Sequence, residues 1–159
     1  MLEVTAIIEV PTGSRNKYEL NHDTGAIWLD RRLFTSMQYP ADYGFIENTL
    51  AEDGDPLDVF VVVADATFPG CHIRVRPLGM LHMRDEKGPD EKILAVPIWD
   101  TSHPWGDIGD VPAELLDEIE HFFQRYKDLE PGKYSQAGGW EGIEAAEREI
   151  HRSRARLSS

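Results

Sequence analysis

The chain has 159 residues, with 16 Lys or Arg against 29 Asp or Glu, a formal charge of −13 at pH 7. A composition of 41% hydrophobic and 28% charged residues is that of a globular protein with one real core, burying roughly 68–70% of its unfolded surface. The acidic excess argues against gripping nucleic-acid phosphates, and no apolar run approaches the roughly 18–20 residues of a membrane span. The single cysteine, Cys71, excludes an internal disulfide framework and a cysteine-built zinc site. No basic-then-apolar leader follows Met1, so the expectation is a soluble, cytoplasmic chain forming a single domain over residues 1–159.

The first two thirds read as strands. Leu2 to Val10 is rich in β-branched residues and stops at Pro11-Thr12-Gly13. Lys17 to Leu20, the turn Asn21-His22-Asp23-Thr24-Gly25 and a short strand around Ile27-Trp28-Leu29 predict a hairpin or meander. Leu57 to Val63, His72 to Leu81 (with Arg74 and Arg76 on one face) and Ile93 to Ile98 are further strands. Short strands broken by Gly and Pro point to a small barrel or sandwich.

The last third changes period. Leu115, Leu116, Ile119, Phe122, Phe123 and Tyr126 recur at helical spacing, with Asp110 as the expected N-cap and Pro112 in the first turn. Pro131-Gly132 ends this unit. A second helix is expected from about Trp140 to Arg156, its arginines suiting a helix C-terminus. Trp99 to Gly109 reads as a surface loop.

Several sites are excluded by pattern. Gly132-Lys133 lacks the earlier glycine and the strand of a phosphate-cradling loop, and neither Gly-x-Ser-x-Gly nor His-Glu-x-x-His occurs. The histidines have no partners at ligand spacing, and Cys71 reads as an ordinary small apolar thiol.

The charge is unevenly distributed. No Lys or Arg lies between Arg32 and Arg74, yet that segment carries Asp42, Glu47, Glu52, Asp53, Asp55, Asp58 and Asp65. Asp53, Asp55 and Asp58 sit on a turn feeding an apolar strand, where an unpaired carboxylate costs several kcal/mol by order of magnitude, so a cation should meet Asp58. The calcium-loop pattern fails, because Leu57, Asp58 and Ala64 occupy its oxygen, glycine and glutamate positions. Hard oxygen ligation suits Mg²⁺ or Mn²⁺. A second acidic turn spans Asp85 to Lys92. Lys17, Arg31, Tyr43, Lys92, Tyr126 and Lys127 would be natural phosphate binders. From these residues alone, phosphoryl hydrolysis and a metal-binding or acidic-surface module both stand.

Asp53-Gly54-Asp55-Pro56-Leu57-Asp58-Val59 resembles the signature of the soluble family I inorganic pyrophosphatases. The likeness continues in Ile8 to Pro11, Asn16 to Glu19, Leu29 to Arg31, Tyr39 to Phe45, Asp85 to Lys92 and His121 to Glu130, in the same order. It implies an α+β fold: a small five-stranded OB-like β-barrel with flanking strands and two C-terminal helices. It implies Mg²⁺-dependent hydrolysis of inorganic pyrophosphate to two orthophosphates without a covalent intermediate, with several ions per site and Mn²⁺ or Zn²⁺ as substitutes. Matched position by position, Asp53, Asp58, Asp85 and Asp90 are metal ligands, and Glu9 and Glu19 support further ions. Lys17, Arg31, Tyr43, Lys92, Tyr126 and Lys127 bind phosphate. Asp55 takes the proton of the attacking water, with Asp90 as the competing assignment. Tyr39 is open between packing and the site. The chain resembles the short bacterial form, which implies a homohexamer. Gln136 and Lys87 depart from common members. A nucleic-acid-binding barrel is the rival, but the groove residues here are carboxylates rather than stacking aromatics.

Overall fold

The computed structural model describes residues 1–159. Its strands are β1 (Val4–Val10), β2 (Asn16–Leu20), β3 (Ile27–Arg32), β4 (Asp42–Ile46), β5 (Asp58–Val61), β6 (His72–Asp85), β7 (Gly88–Pro89), β8 (Lys92–Pro97) and β9 (Ser135–Gly142), and its helices are α1 (Ala113–Arg125) and α2 (Ile143–Ser158). β1 pairs with both β4 and β6, β4 with β5, β5 with β8, and β8 with β6, which closes a five-stranded ring. Only β5–β8 is parallel. β2 and β3 form a separate hairpin sheet. The fold is α+β with a strongly curled, OB-like barrel, and no helix is long and apolar enough to cross a membrane.

The sequence explains the two faces. β5 and β8 are continuous apolar runs because both faces are covered. Val59, Val61, Ile93 and Ala95 join residues from all five ring strands and Ala146 and Ile150 of α2 in one buried cluster. Phe60, Leu94 and Val96 join Ile119, Phe122 and Phe123 of α1 in the other. Each fully buried large side chain of this kind is worth roughly 1.5–3 kcal/mol. At the β1–β4 seam, a Cβ on Gly44 would lie 1.9 Å from the Ile7 carbonyl oxygen, so only glycine fits.

Two boundaries differ from the sequence reading. The N-cap of α1 is Pro112, with no side-chain bond, whereas Asp110 belongs to a capping box with Asp107 on a preceding 3₁₀ turn, Ile108–Asp110. The acidic capping signal is real but serves the shorter turn. The second helix begins at Ile143, because Ser135–Gly142, including Trp140, pairs as β9 against Gly79 to Asp85 of β6. That segment is glycine-rich and has no alternating apolar pattern, so it is a strand by virtue of its partner. β4 was likewise not read as a strand, although Tyr43, Phe45 and Ile46 are strand-favouring residues. The Trp99 to Gly109 loop is partly exposed, but Arg76 donates to the backbone of Trp105 and His103, and Trp105 packs on the core.

The basic end of α2 does more than complement a helix terminus. Arg156 bonds the Leu50 carbonyl at 3.2 Å and Glu149 at 3.0 Å, and Leu50 N–H donates to the Ser153 carbonyl at 3.0 Å. Buried Thr49 donates to Ile46 O at 2.6 Å and accepts from Leu57 N–H at 3.0 Å. The loop that carries Asp53 and Asp55 is therefore pinned from behind.

Candidate active site

One cavity of about 220 Å³ opens between the hairpin β2–β3, the 53–58 loop, the β6–β8 turn and the end of α1. Every site residue named from the sequence lines it: Glu9, Lys17, Glu19, Arg31, Tyr43, Asp53, Asp55, Asp58, Asp85, Asp90, Lys92, Tyr126 and Lys127. Tyr18, His22, Phe45, Glu86 and Lys87 complete much of the wall. Tyr39 does not line it; its ring is buried against Phe122, 4.7 Å between centroids, so its part is packing.

The floor is built by register. Parallel pairing sets Asp58 of β5 beside Lys92 of β8, and the Lys92 ammonium lies 2.8 Å from Asp58 Oδ2, 3.0 Å from Asp90 Oδ2 and 2.9 Å from the Tyr43 hydroxyl. The cation that Asp58 requires is thus supplied by a lysine 34 positions away, a pairing that local sequence could not display. Beneath it lie the rings of Phe123 and Tyr43, at 4.8 and 5.2 Å, the former giving the closer cation–π contact.

Burial and the neighbouring Asp90 push the Asp58 carboxyl up to about 7, although Lys92 pulls the other way. Burial also acts on Asp90, but Lys92 and the hydrogen bond with Asp58 outweigh it and hold that carboxyl below the usual range. The pair therefore shares charge unequally across one ammonium. Burial disfavours the Lys92 charge, yet Asp58, Tyr43 and Asp90 together hold it well above the ordinary lysine range. Burial raises the Tyr43 and Tyr126 phenols, which therefore act as neutral donors.

The walls carry the remaining charges. Asp53 accepts the Asp55 backbone N–H at 3.0 Å, and burial raises its carboxyl above the usual range. Asp55 is exposed and makes no side-chain bond of its own. Glu9, also raised by burial, accepts Leu20 N–H at 2.8 Å and so touches the hairpin. Lys127 lies 3.6 Å from Asp85 and 3.7 Å from Glu86. Lys17 and Arg31 share Asp30, at 3.4 and 2.6 Å. Asp30, Glu86 and Glu130 bond pocket residues and were left unassigned by sequence reasoning. All three stood inside the runs Leu29 to Arg31, Asp85 to Lys92 and His121 to Glu130, but Glu86 and Glu130 meet partners distant in sequence.

A divalent ion fits this donor set. The pocket offers many carboxylate oxygens and neither a cysteine nor a serine, the hard ligation that Mg²⁺-type ions take. Asp58 and Asp90 already face a common cation. No three carboxylate or imidazole groups converge on a single point, so the side chains form a charged rim rather than a closed cage. That suits ions that keep water and share substrate oxygens.

Comparison with known proteins agrees with the geometry. A family model described as inorganic pyrophosphatase matches residues 6–158. The inorganic pyrophosphatase of Streptomyces coelicolor is 55% identical over 98% of this chain and 96% of its own length. That of Leifsonia xyli is 51% identical over 100% and 98%. Among solved structures, the Thermus thermophilus inorganic pyrophosphatase superposes with a TM-score of 0.96 at 48% identity, covering 99% of this chain and 92% of that one. The Helicobacter pylori enzyme gives 0.96 at 39% identity, covering 99% and 94%.

Proposed function

The chain belongs to the inorganic pyrophosphatase family, and from that premise we propose how its pocket divides the work. The enzyme hydrolyses inorganic pyrophosphate to two orthophosphates and uses a divalent metal cofactor. We assign that cofactor as Mg²⁺, several ions per site, with Mn²⁺ or Zn²⁺ as substitutes. Asp53, Asp58, Asp85 and Asp90 would hold the principal ions, and Glu9 and Glu19 further ones. When bound, such ions lower the pKa of water and offset the charge of the polyanion.

The chain's own groups do the rest. Lys17, Arg31, Tyr43, Lys92, Tyr126 and Lys127 grip the phosphoryl oxygens, so charge developing in the transition state meets donors already in place. Asp55 accepts the proton of the attacking water, and that proton leaves with orthophosphate. Asp55 suits this role better than Asp90 because its carboxylate is free, whereas Asp90 is engaged by Lys92 at 3.0 Å. The absence of serine and cysteine from the lining supports direct attack without a covalent intermediate.

The observation that carries the reading is the convergence of acid-rich and base-rich segments from five parts of the chain on one small cavity. The test is phosphate release from pyrophosphate with and without Mg²⁺. Release that depends on Mg²⁺ is expected. Tight binding of single-stranded DNA without release would overturn it. Equal turnover with Ca²⁺ would contradict the Mg²⁺ assignment, because the larger ion is less strictly octahedral. We further infer a cytoplasmic, single-domain protomer in a homohexamer, which is consistent with the exposed Trp28, Leu29, Phe34, Phe68 and Trp99. Sedimentation would then give six times the 18.0 kDa chain mass.

A further inference from the structure

Among the carboxylates outside the pocket lining, one is buried with its side chain committed to a single pocket residue. Glu130 is 7% exposed, and it pairs only with Arg31, whose Nη2 lies 3.1 Å from Oε1 and 3.3 Å from Oε2. Its main chain is fixed independently. Its N–H donates to the Lys127 carbonyl at 2.9 Å and its carbonyl accepts Lys133 N–H at 3.3 Å. Glu130 thus closes the turn after α1 that presents Tyr126 and Lys127 to the pocket.

Arg31 belongs to the β2–β3 hairpin, which forms its own sheet rather than joining the barrel ladder. Two carboxylates from outside the hairpin bond it. Glu9 takes Leu20 N–H near the turn end, and Glu130 takes Arg31 at the open end. The guanidinium is consequently held on two sides, by Asp30 through Nη1 and Glu130 through Nη2, while its Nε is buried without a partner. A planar fork clamped in this way keeps its remaining donors aimed and loses less freedom when an anion arrives.

We propose that Glu130 is a positioning residue for pyrophosphate. It presets Arg31 against the α1 end of the pocket and holds the hairpin at the spacing the diphosphate spans. This rests on the reading of Arg31 as a phosphate ligand. A carboxylate that only stabilised the fold would have no reason to act through Arg31.

The experiment compares Glu130→Gln, Glu130→Ala, Arg31→Ala and the Glu130→Gln/Arg31→Ala double variant in the full chain. Steady-state kinetics with Mg²⁺ are paired with calorimetric binding of methylene diphosphonate, a pyrophosphate with a carbon bridge, and urea midpoints confirm folding. Glu130→Gln, which keeps shape and one acceptor, should raise KM and the diphosphonate Kd by about three- to tenfold while changing kcat less than about twofold. Glu130→Ala should do more. Glu130→Gln should add nothing when Arg31 is already alanine. An unchanged Kd in Glu130→Gln, or an equal effect with and without Arg31, would overturn the positioning role while leaving Arg31's own role intact. An unchanged Kd in Arg31→Ala would instead overturn the phosphate role of Arg31, and that of Glu130 with it.

Discussion

Asp42 and Asp58 come from the same lysine-free acidic stretch and lie on adjacent, paired strands, β4 and β5. Asp42 is fully buried, and its two oxygens accept four bonds: Thr12 N–H at 2.8 Å and hydroxyl at 2.7 Å, Thr67 N–H at 3.1 Å and hydroxyl at 2.5 Å. Asp58 has the Lys92 ammonium, shared with Asp90, and the neighbouring Asp90 carboxyl itself. One carboxylate is saturated by neutral donors and ties two loops together. The other is left under-coordinated beside a like charge, in a cavity. Buried polar groups are normally satisfied, so incompleteness, rather than acidity, marks the one that lines the pocket. Stability and function are separated between the two positions.

The sharpest way to break this contrast is Asp58→Asn. Turnover with Mg²⁺ should fall by about 10³-fold or more, while the melting temperature in EDTA should match or exceed that of the native protein, because a crowded, partly buried charge is removed. A large drop in melting temperature would make Asp58 a structural residue like Asp42. Next in size is Asp55→Asn, which should lower kcat by about 10²–10³-fold with Mg²⁺ binding by calorimetry largely retained. An unaffected rate would move the proton-acceptor role to Asp90.

The opposite variant is Asp42→Ala. Four donors would lose their acceptor in the interior, a cost of about 2–4 kcal/mol, read as a lower urea midpoint. The fraction that remains folded should keep most of its turnover. A stable but inactive Asp42→Ala would erase the distinction between the two sites.

The acidic stretch shows how far the sequence could be read. Composition placed Asp42 and Asp58 in one group, and only the β4–β5–β8 register, which brings Lys92 alongside Asp58, separates them. The residues that line the pocket were legible because Asp-x-Asp-Pro-x-Asp and the lysine- and tyrosine-bearing runs are local patterns. Glu130 was not, since the Arg31 it bonds is 99 residues away. Four of the five barrel strands were legible from β-branched runs, β4 being the exception, and the helices from a 3.6-residue period. β9 was not, since Gln136, Gly138 and Gly139 carry no strand signal, and its pairing is decided by the free edge of β6. Arg156 looked like generic helix-end charge for the same reason: the carbonyl it holds, that of Leu50, is 106 positions away.

Asp100 extends the comparison to a third carboxylate and gives the smallest expected effect. Like Asp42, it is satisfied by neighbours: Ser102 donates through N–H at 2.8 Å and hydroxyl at 2.6 Å, and His103 Nδ1 lies at 2.7 Å. The Ser102 and His103 bonds lower its carboxyl to about 2, from an ordinary 3.8. A folded pKa below the unfolded one means the stabilisation is fully present above about pH 4 and is lost as pH falls toward 2. The loop lies at the protein's edge, so solvent screening reduces the worth of the shift to roughly 1 kcal/mol. Urea unfolding of the native protein and Asp100→Asn should therefore differ by about that amount at pH 6 and converge as the pH approaches 2. A difference that stays constant across this range would mean that Asp100 contributes shape rather than charge. It would then share with Asp42 the saturated bonding but not a contribution from charge.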